Sequence, residues 1–196
     1  MPMTSQGKQL NLVGIAAKAQ SGKSTVAGFL KEAGAYTELS FASPIREFVA
    51  GLLGCTVPEL EPIKEDVIPW CGKSPRQLMQ TLGTEWGRKM VSETFWIDQA
   101  MQRIQREWAR GQMVVISDVR FDNEAEAIRN AGGCILHLSR PDGARTVAQH
   151  LSEAGVERKP GDYSIINDGS LRALRSMVGA WHYGVWDGQV DPEFVV

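Results

Sequence analysis

Cysteine is scarce in this chain of 196 residues: Cys55, Cys71 and Cys134 lie far apart and form no C-x-x-C pair. Three equally scattered histidines, His137, His150 and His182, add no zinc-ligand spacing, so a structural zinc site is not expected. An odd cysteine count without a recognisable leader favours a reducing cytoplasm. No apolar run approaches the ~20 residues that span a bilayer. Charge of one sign is lacking too. Twenty-one basic against 23 acidic side chains leave a net charge of −2. That balance points neither to a nucleic-acid polymer as partner nor to an acidic disordered effector. There is no internal repeat and no low-complexity segment. What remains is one ordinary domain, with room for a small insert.

The stretch "AKAQSGKST" at 17–25 carries the strongest signal. It fits the phosphate-loop pattern G-x-x-x-x-G-K-[ST] at Gly22, Lys23 and Ser24, with Ala17 in place of the first glycine. Its setting is the one the motif requires. The apolar "LNLVGIAA" precedes it as a strand, and Val26, Phe29, Leu30 and Ala33 follow at helical spacing, stopped by Gly34. Loop amides at the start of a helix can surround a β-phosphate. Lys23 would reach the β- and γ-phosphates, and the Ser24 hydroxyl would ligate Mg²⁺. The expected ATP-contacting set is Lys18, Ala19, Gln20, Ser21, Gly22, Lys23, Ser24 and Thr25.

Beyond the loop, strands alternate with helices. Strands are expected at 36–42, 113–119, 134–140 and 163–168. Helices are expected from Ser43 as N-cap to Gly54 and from Ser74 to Met90, the latter with a buried stripe of Met79, Leu82, Trp86 and Met90. A further helix carries Ile97, Met101, Ile104 and Trp108, and another covers "NEAEAIRNAGG". The last runs over Leu171, Leu174, Val178, Trp181 and Val185. Residues 55–73, with three prolines, read as a loop or small insert. Such alternation implies crossovers and a parallel sheet, whose ligands bind at the carboxyl ends of the strands.

Three more stretches carry candidate chemistry. "VVISDVRFDNE" ends a strand in Asp118, which could hold Mg²⁺ through water or accept a proton, and Arg120 can fork onto a phosphate. A helix-capping aspartate beside a solvated arginine is the plainer alternative. In "QTLGTEWGRKM", Gln80, Thr84 and Arg88 are four apart, either a solvated strip or a base contact from Gln80 with a phosphate clamp from Arg88. Arg140 and Arg145 follow the fourth strand, either as surface arginines or as lid arginines that neutralise a transferring phosphoryl group.

Taken in order, "KAQSGKST", "LSFASPIREF", "LMQTLGTEWGRKM", "SDVRFDNEAEAIRNAGGCILHLSR", "HLSE" and "IINDGSLRAL" resemble bacteriophage-type deoxynucleoside monophosphate kinases over about residues 11–178. The resemblance implies a P-loop, nucleoside monophosphate kinase-like fold, a three-layer α/β unit with a five-stranded parallel sheet flanked by helices. It further implies a helical monophosphate-binding insert over about 43–110 and a lid over about 140–160. The implied reaction is Mg²⁺-assisted transfer of the ATP γ-phosphoryl group to a deoxynucleoside 5′-monophosphate. Lys23, Asp118, Arg120, Arg140 and Arg145 would be catalytic. Ser43, Arg46, Gln80, Trp86, Arg88, Trp96, Asp118, Arg120 and Glu124 would serve the monophosphate. Two departures stand out: Ser24 where relatives often carry aspartate, and "FASP" where they often read "FADP", which touches base selectivity. The open alternatives are a kinase for another small acceptor, dephospho-coenzyme A among them, and a P-loop NTPase switch. Partners are small nucleotides rather than nucleic-acid polymers or membranes, and the sequence leaves a homodimer open.

Overall fold

The computed structural model describes residues 11–34, 36–140 and 155–186, with side chains described as far as 184. Arg145, most of the expected lid and the polar first residues lie outside the described residues, as does the side chain of Val185. Among those described, the chain divides into two compact units: residues up to 40 together with those from 103 onward, and Phe41–Gln102.

The first unit is built on five strands: β1 (Leu12–Ala17), β2 (Tyr36–Leu39), β3 (Met113–Val119), β4 (Cys134–Ser139) and β5 (Tyr163–Ile166). They lie in the order β2-β3-β1-β4-β5, and each adjacent pair is parallel. Three helices cover them: α1 (Lys23–Glu32), α6 (Asp122–Asn130) and α7 (Leu171–Trp186). Side chains alternate along a strand, so β1 serves both faces. Val13 and Ile15 join Val26, Leu30, Leu174, Val178 and Trp181 in one fully buried cluster with α1 and α7. Gly14 turns the other way, toward Ile128 of α6, where an added Cβ would stand 2.7 Å from a methyl carbon. The sheet is therefore clad on both sides, which is why its strands read as unbroken apolar runs.

β1 is the middle strand, with β3 on one side and β4 on the other. The strand order reverses there, and open α/β sheets bind ligands at the carboxyl end of that point. The phosphate-loop motif begins where β1 stops.

The second unit is helical: α2 (Ser43–Leu52), α3 (Val57–Leu60), α4 (Pro75–Gln80), and a π-helical stretch (Thr81–Val91) continuing α4. The helix α5 (Phe95–Ala109) begins in this unit. Val49, Ala50 and Leu60 form its buried core, with Leu78, Met79 and Leu82 packed against them. Several sequence expectations shift here. Ser43 is the first residue of α2 rather than its cap, a position that falls to Ala42. Within 55–73 a short helix forms behind a reciprocal cap between Thr56 and Glu59. The expected stripe fails at Trp86 and Met90, which are 41% and 77% exposed. Hydrogen bonds to the fifth residue widen the turn and bring Gly83 and Gly87 to the buried face instead. Likewise Ala33 and Leu171, at helix ends, are exposed.

Candidate functional site

The loop leaving β1 has the backbone of an anion cradle. Gly22 adopts φ +100° as the residue before α1, and Gln20 is the one non-glycine with positive φ among the described residues. No side chain caps α1 and its first turn holds no acidic residue. Its leading amides thus meet neither a capping side chain nor a first-turn carboxylate, which suits them to phosphate oxygens at the positive end of the helix dipole. Lys18, Ala19, Gln20 and Ser24 are exposed, Lys23 and Thr25 half-buried, and Ser21 buried. The Lys23 ammonium arches over the loop and donates to the carbonyls of Ala17 and Lys18, 2.8 Å each. Burial, and secondarily the positive charge of Arg120, lower its pKa, while Asp118 acts the other way. Lys23, Arg120 and Asp118 therefore share one electrostatic neighbourhood.

Asp118 is held in place by two features that the sequence does not announce. Along β1 the register advances two residues from Gly14 to Ala16 while β3 advances three, from Ile116 to Val119. The extra residue of β3 falls beside Asp118, within the strand rather than at its end. Bulges of this kind re-aim side chains next to functional sites. In addition the Ser40 hydroxyl, from the end of β2, donates to Asp118 Oδ2 at 2.7 Å, both groups being buried.

A second missed residue is Asn167, just past β5. Its amide donates to the Ser21 carbonyl at 2.9 Å across 146 residues of sequence. The only sequence cue was its place in "IINDGSL".

Other expected residues find different surroundings. Glu124 is 2% exposed, and its Oε2 accepts from the amides of Arg120 at 2.9 Å and Phe121 at 3.2 Å. Through those bonds it fixes the turn that carries Arg120, which is itself exposed. Arg140 directly follows β4 and is exposed. At the far end of the expected lid, the Glu157 amide donates to Asp122 of α6 at 2.8 Å. Lys159 pairs with Glu126 of the same helix at 2.8 Å. Residues 155–160 thus begin as an anchored return to the sheet-bearing unit.

In the helical unit, Ser43 and Arg46 are half-buried on α2, Gln80 is exposed, and Arg88 is half-buried on the π-helical stretch. Trp86 meets Phe95 edge-on at 5.2 Å, and Phe95 meets Trp96 at 4.8 Å. Trp96 is 7% exposed and its indole donates to the Gly83 carbonyl at 2.8 Å. Trp96 packs against the glycine face of the π-helical stretch, whereas Trp86 is exposed.

Among the described residues no helix is long and apolar enough to cross a membrane. No cluster of three histidine, cysteine or carboxylate side chains placed to hold a metal occurs among them either.

Comparison with known proteins follows the same lines. The family described as deoxynucleotide monophosphate kinase matches residues 60–178. A protein of Acanthamoeba polyphaga mimivirus, whose name assigns it provisionally to that activity, is 28% identical over 187 residues, 85% of this chain and 93% of its own. The deoxynucleotide monophosphate kinase of Enterobacteria phage T4 is 33% identical over 106 residues. That match spans 54% of this chain and less than half, 44%, of the phage protein. Among solved structures, a dephospho-CoA kinase from Campylobacter jejuni superposes with a TM-score of 0.53 at 13% identity. It covers 92% of this chain and 99% of that one, a likeness of fold alone.

Proposed function

The chain belongs to the deoxynucleotide monophosphate kinase family, and from that premise we propose that it transfers the γ-phosphoryl group of ATP to a deoxynucleoside 5′-monophosphate in the cytoplasm. The observation that carries the reading is the uncapped start of α1 behind a left-handed Gly22, with Lys23 folded over the loop and Asp118 sharing its electrostatic neighbourhood. Those groups suit a nucleoside triphosphate.

The acceptor oxygen is already anionic at neutral pH, so the protein need not supply a strong base. Its work is alignment and neutralisation. Loop amides and Lys23 hold the donor phosphates, and Arg120 meets charge that develops on the transferring group. Arg88 and Arg46 are proposed to serve the acceptor phosphate, with the exposed ring of Trp86 and the Gln80 amide serving its base. Arg140 is proposed to close on the transferred group.

Mg²⁺ takes oxygen ligands, and the Ser24 hydroxyl with the Asp118 carboxylate is an oxygen set that fits it, Ser24 directly and Asp118 through water. Bound there, the ion would neutralise charge on the donor phosphates. The dephospho-CoA kinase likeness is confined to fold and does not favour that acceptor.

The test is ADP formation with each of the four common deoxynucleoside monophosphates and their ribose counterparts. ADP production that depends on a deoxynucleotide is the expected result. Steady hydrolysis indifferent to any acceptor would make the chain an NTPase instead.

A further inference from the structure

The phosphate loop is not self-supporting. Its Ser21 carbonyl accepts from Asn167 Nδ2 at 2.9 Å, and both residues are buried, at 4% and 6% exposure. A carbonyl oxygen only accepts, so the amide nitrogen must be the group that faces it. Asn167 is in turn fixed by the sheet: its backbone amide donates to the Ser139 carbonyl at 2.7 Å, carrying the β4–β5 ladder one residue past Ile166. The same side-chain nitrogen lies close under the next residue, where a Cβ built on Gly22 would stand 2.9 Å from it.

Resting on the nucleotide-binding reading above, we propose that Asn167 is a positioning residue for the donor phosphates. Its amide pins the Ser21 carbonyl inward and so aims the Gly22 amide at the nucleotide. The step from one to the other is peptide geometry. In a planar trans peptide the carbonyl and the following N–H point in opposite directions. Holding Ser21 O toward Asn167 therefore turns Gly22 N–H away from it, toward the side on which the loop can meet phosphate. Gly22 suits the place twice, because it accepts φ +100° and leaves space for the amide. A loop left free to rotate that peptide would have to reorder it on every binding event, a cost that falls on ATP rather than on the acceptor.

The experiment compares Asn167→Asp, Asn167→Ala and a stability control, Val178→Ala, in the full chain. The aspartate is isosteric but cannot donate. The control trims a buried side chain of α7, 2% exposed and outside the loop. Melting temperature, KM for ATP and KM for the deoxynucleotide are measured for each, with direct titration of ATP and Mg²⁺ into the wild type. Both Asn167 variants should raise KM for ATP tenfold or more and leave KM for the deoxynucleotide within twofold. Val178→Ala, at a comparable loss of melting temperature, should leave KM for ATP within twofold. The proposal is overturned if the Asn167 variants shift KM for ATP no more than the control does, if both KM values rise together, or if neither variant folds. Failure of the wild type to bind ATP at all would instead remove the nucleotide-binding reading itself, and this inference with it.

Discussion

Lys23 is a long cationic side chain whose ammonium is already drawn toward the loop it serves. Truncating it leaves charge on the transferring group unmatched, a loss of roughly a hundred- to a thousandfold in kcat when a donor to developing charge is removed. Lys23→Ala should show at least that loss with an unchanged melting curve, and near-normal turnover would remove the residue from the mechanism. Ser40 acts one step further back. A hydrogen bond to a charged acceptor is worth about 1.5–3 kcal/mol, so Ser40→Ala should lower kcat about tenfold while KM for ATP stays put. Equal kcat in steady-state assays would show that Asp118 is oriented by its other neighbours. Arg88→Ala and Arg120→Ala each remove a candidate phosphate clamp, at a similar cost per contact. Arg88→Ala should raise KM for the deoxynucleotide about ten- to a hundredfold with ATP affinity kept, whereas Arg120→Ala, at the transferring group, should lower kcat by a similar factor. Loss of ATP affinity with the deoxynucleotide KM unchanged would reverse the assignment of the two phosphates.

Among the elements, the π-helical stretch Thr81–Val91 departs furthest from what its sequence suggests. Gly87 faces the Trp96 ring so closely that a Cβ would meet Nε1 at 2.4 Å and Cε2 at 2.7 Å. Helix propensity alone favours alanine over glycine by about 1 kcal/mol. Overpacking a fixed aromatic costs about 1–3 kcal/mol, and the ring is held by its bond to Gly83. The second effect should win. Gly87→Ala should destabilise the protein by up to about 2 kcal/mol in urea unfolding followed by tryptophan fluorescence, and a stabilised variant would mean the ring can move. A period of 3.6 read from Met79, Leu82, Trp86 and Met90 could not anticipate this, because the widened turn depends on where Trp96 packs.

On the scale of the whole sheet-bearing unit, Asp162 gathers the elements that close it. It is 2% exposed. It accepts from Arg129 of α6 at 2.6 and 3.1 Å, from His137 of β4 at 3.1 Å and from the Lys159 amide at 2.8 Å. Burial pushes its carboxyl up, but the hydrogen bonds from His137, Arg129 and Lys159, helped by the arginine's charge, outweigh burial and hold it well below the usual carboxylate range. A carboxylate whose pKa is depressed by folding stabilises the protein fully above its unfolded pKa, ~3.9, and less as the pH falls through the folded value. Wild-type stability should therefore drop as the pH goes below about 4. Asp162→Asn should lose about 1–3 kcal/mol at neutral pH, the cost of a donor left unmet, because Arg129 keeps its ion pair with Glu126 and its bond to the Glu157 carbonyl, and should show a shallower acid slope. Parallel slopes from pH 7 to 3 would mean that other carboxylates dominate acid unfolding.

Local pattern was enough for the parallel α/β class, the phosphate loop between β1 and α1, and the strand bearing Asp118. Each depends on nearest-neighbour chemistry: apolar runs, a glycine stop, a lysine after a left-handed turn. Tertiary structure alone decided the rest. The extra residue of β3 is visible only against β1, and the bond from Asn167 to Ser21 only when a chain separation of 146 positions has been folded up. Periodicity reports which side of an element is apolar. It carries no record of which distant backbone will stand against that side, and in this protein such distant contacts orient Asp118 and the phosphate loop.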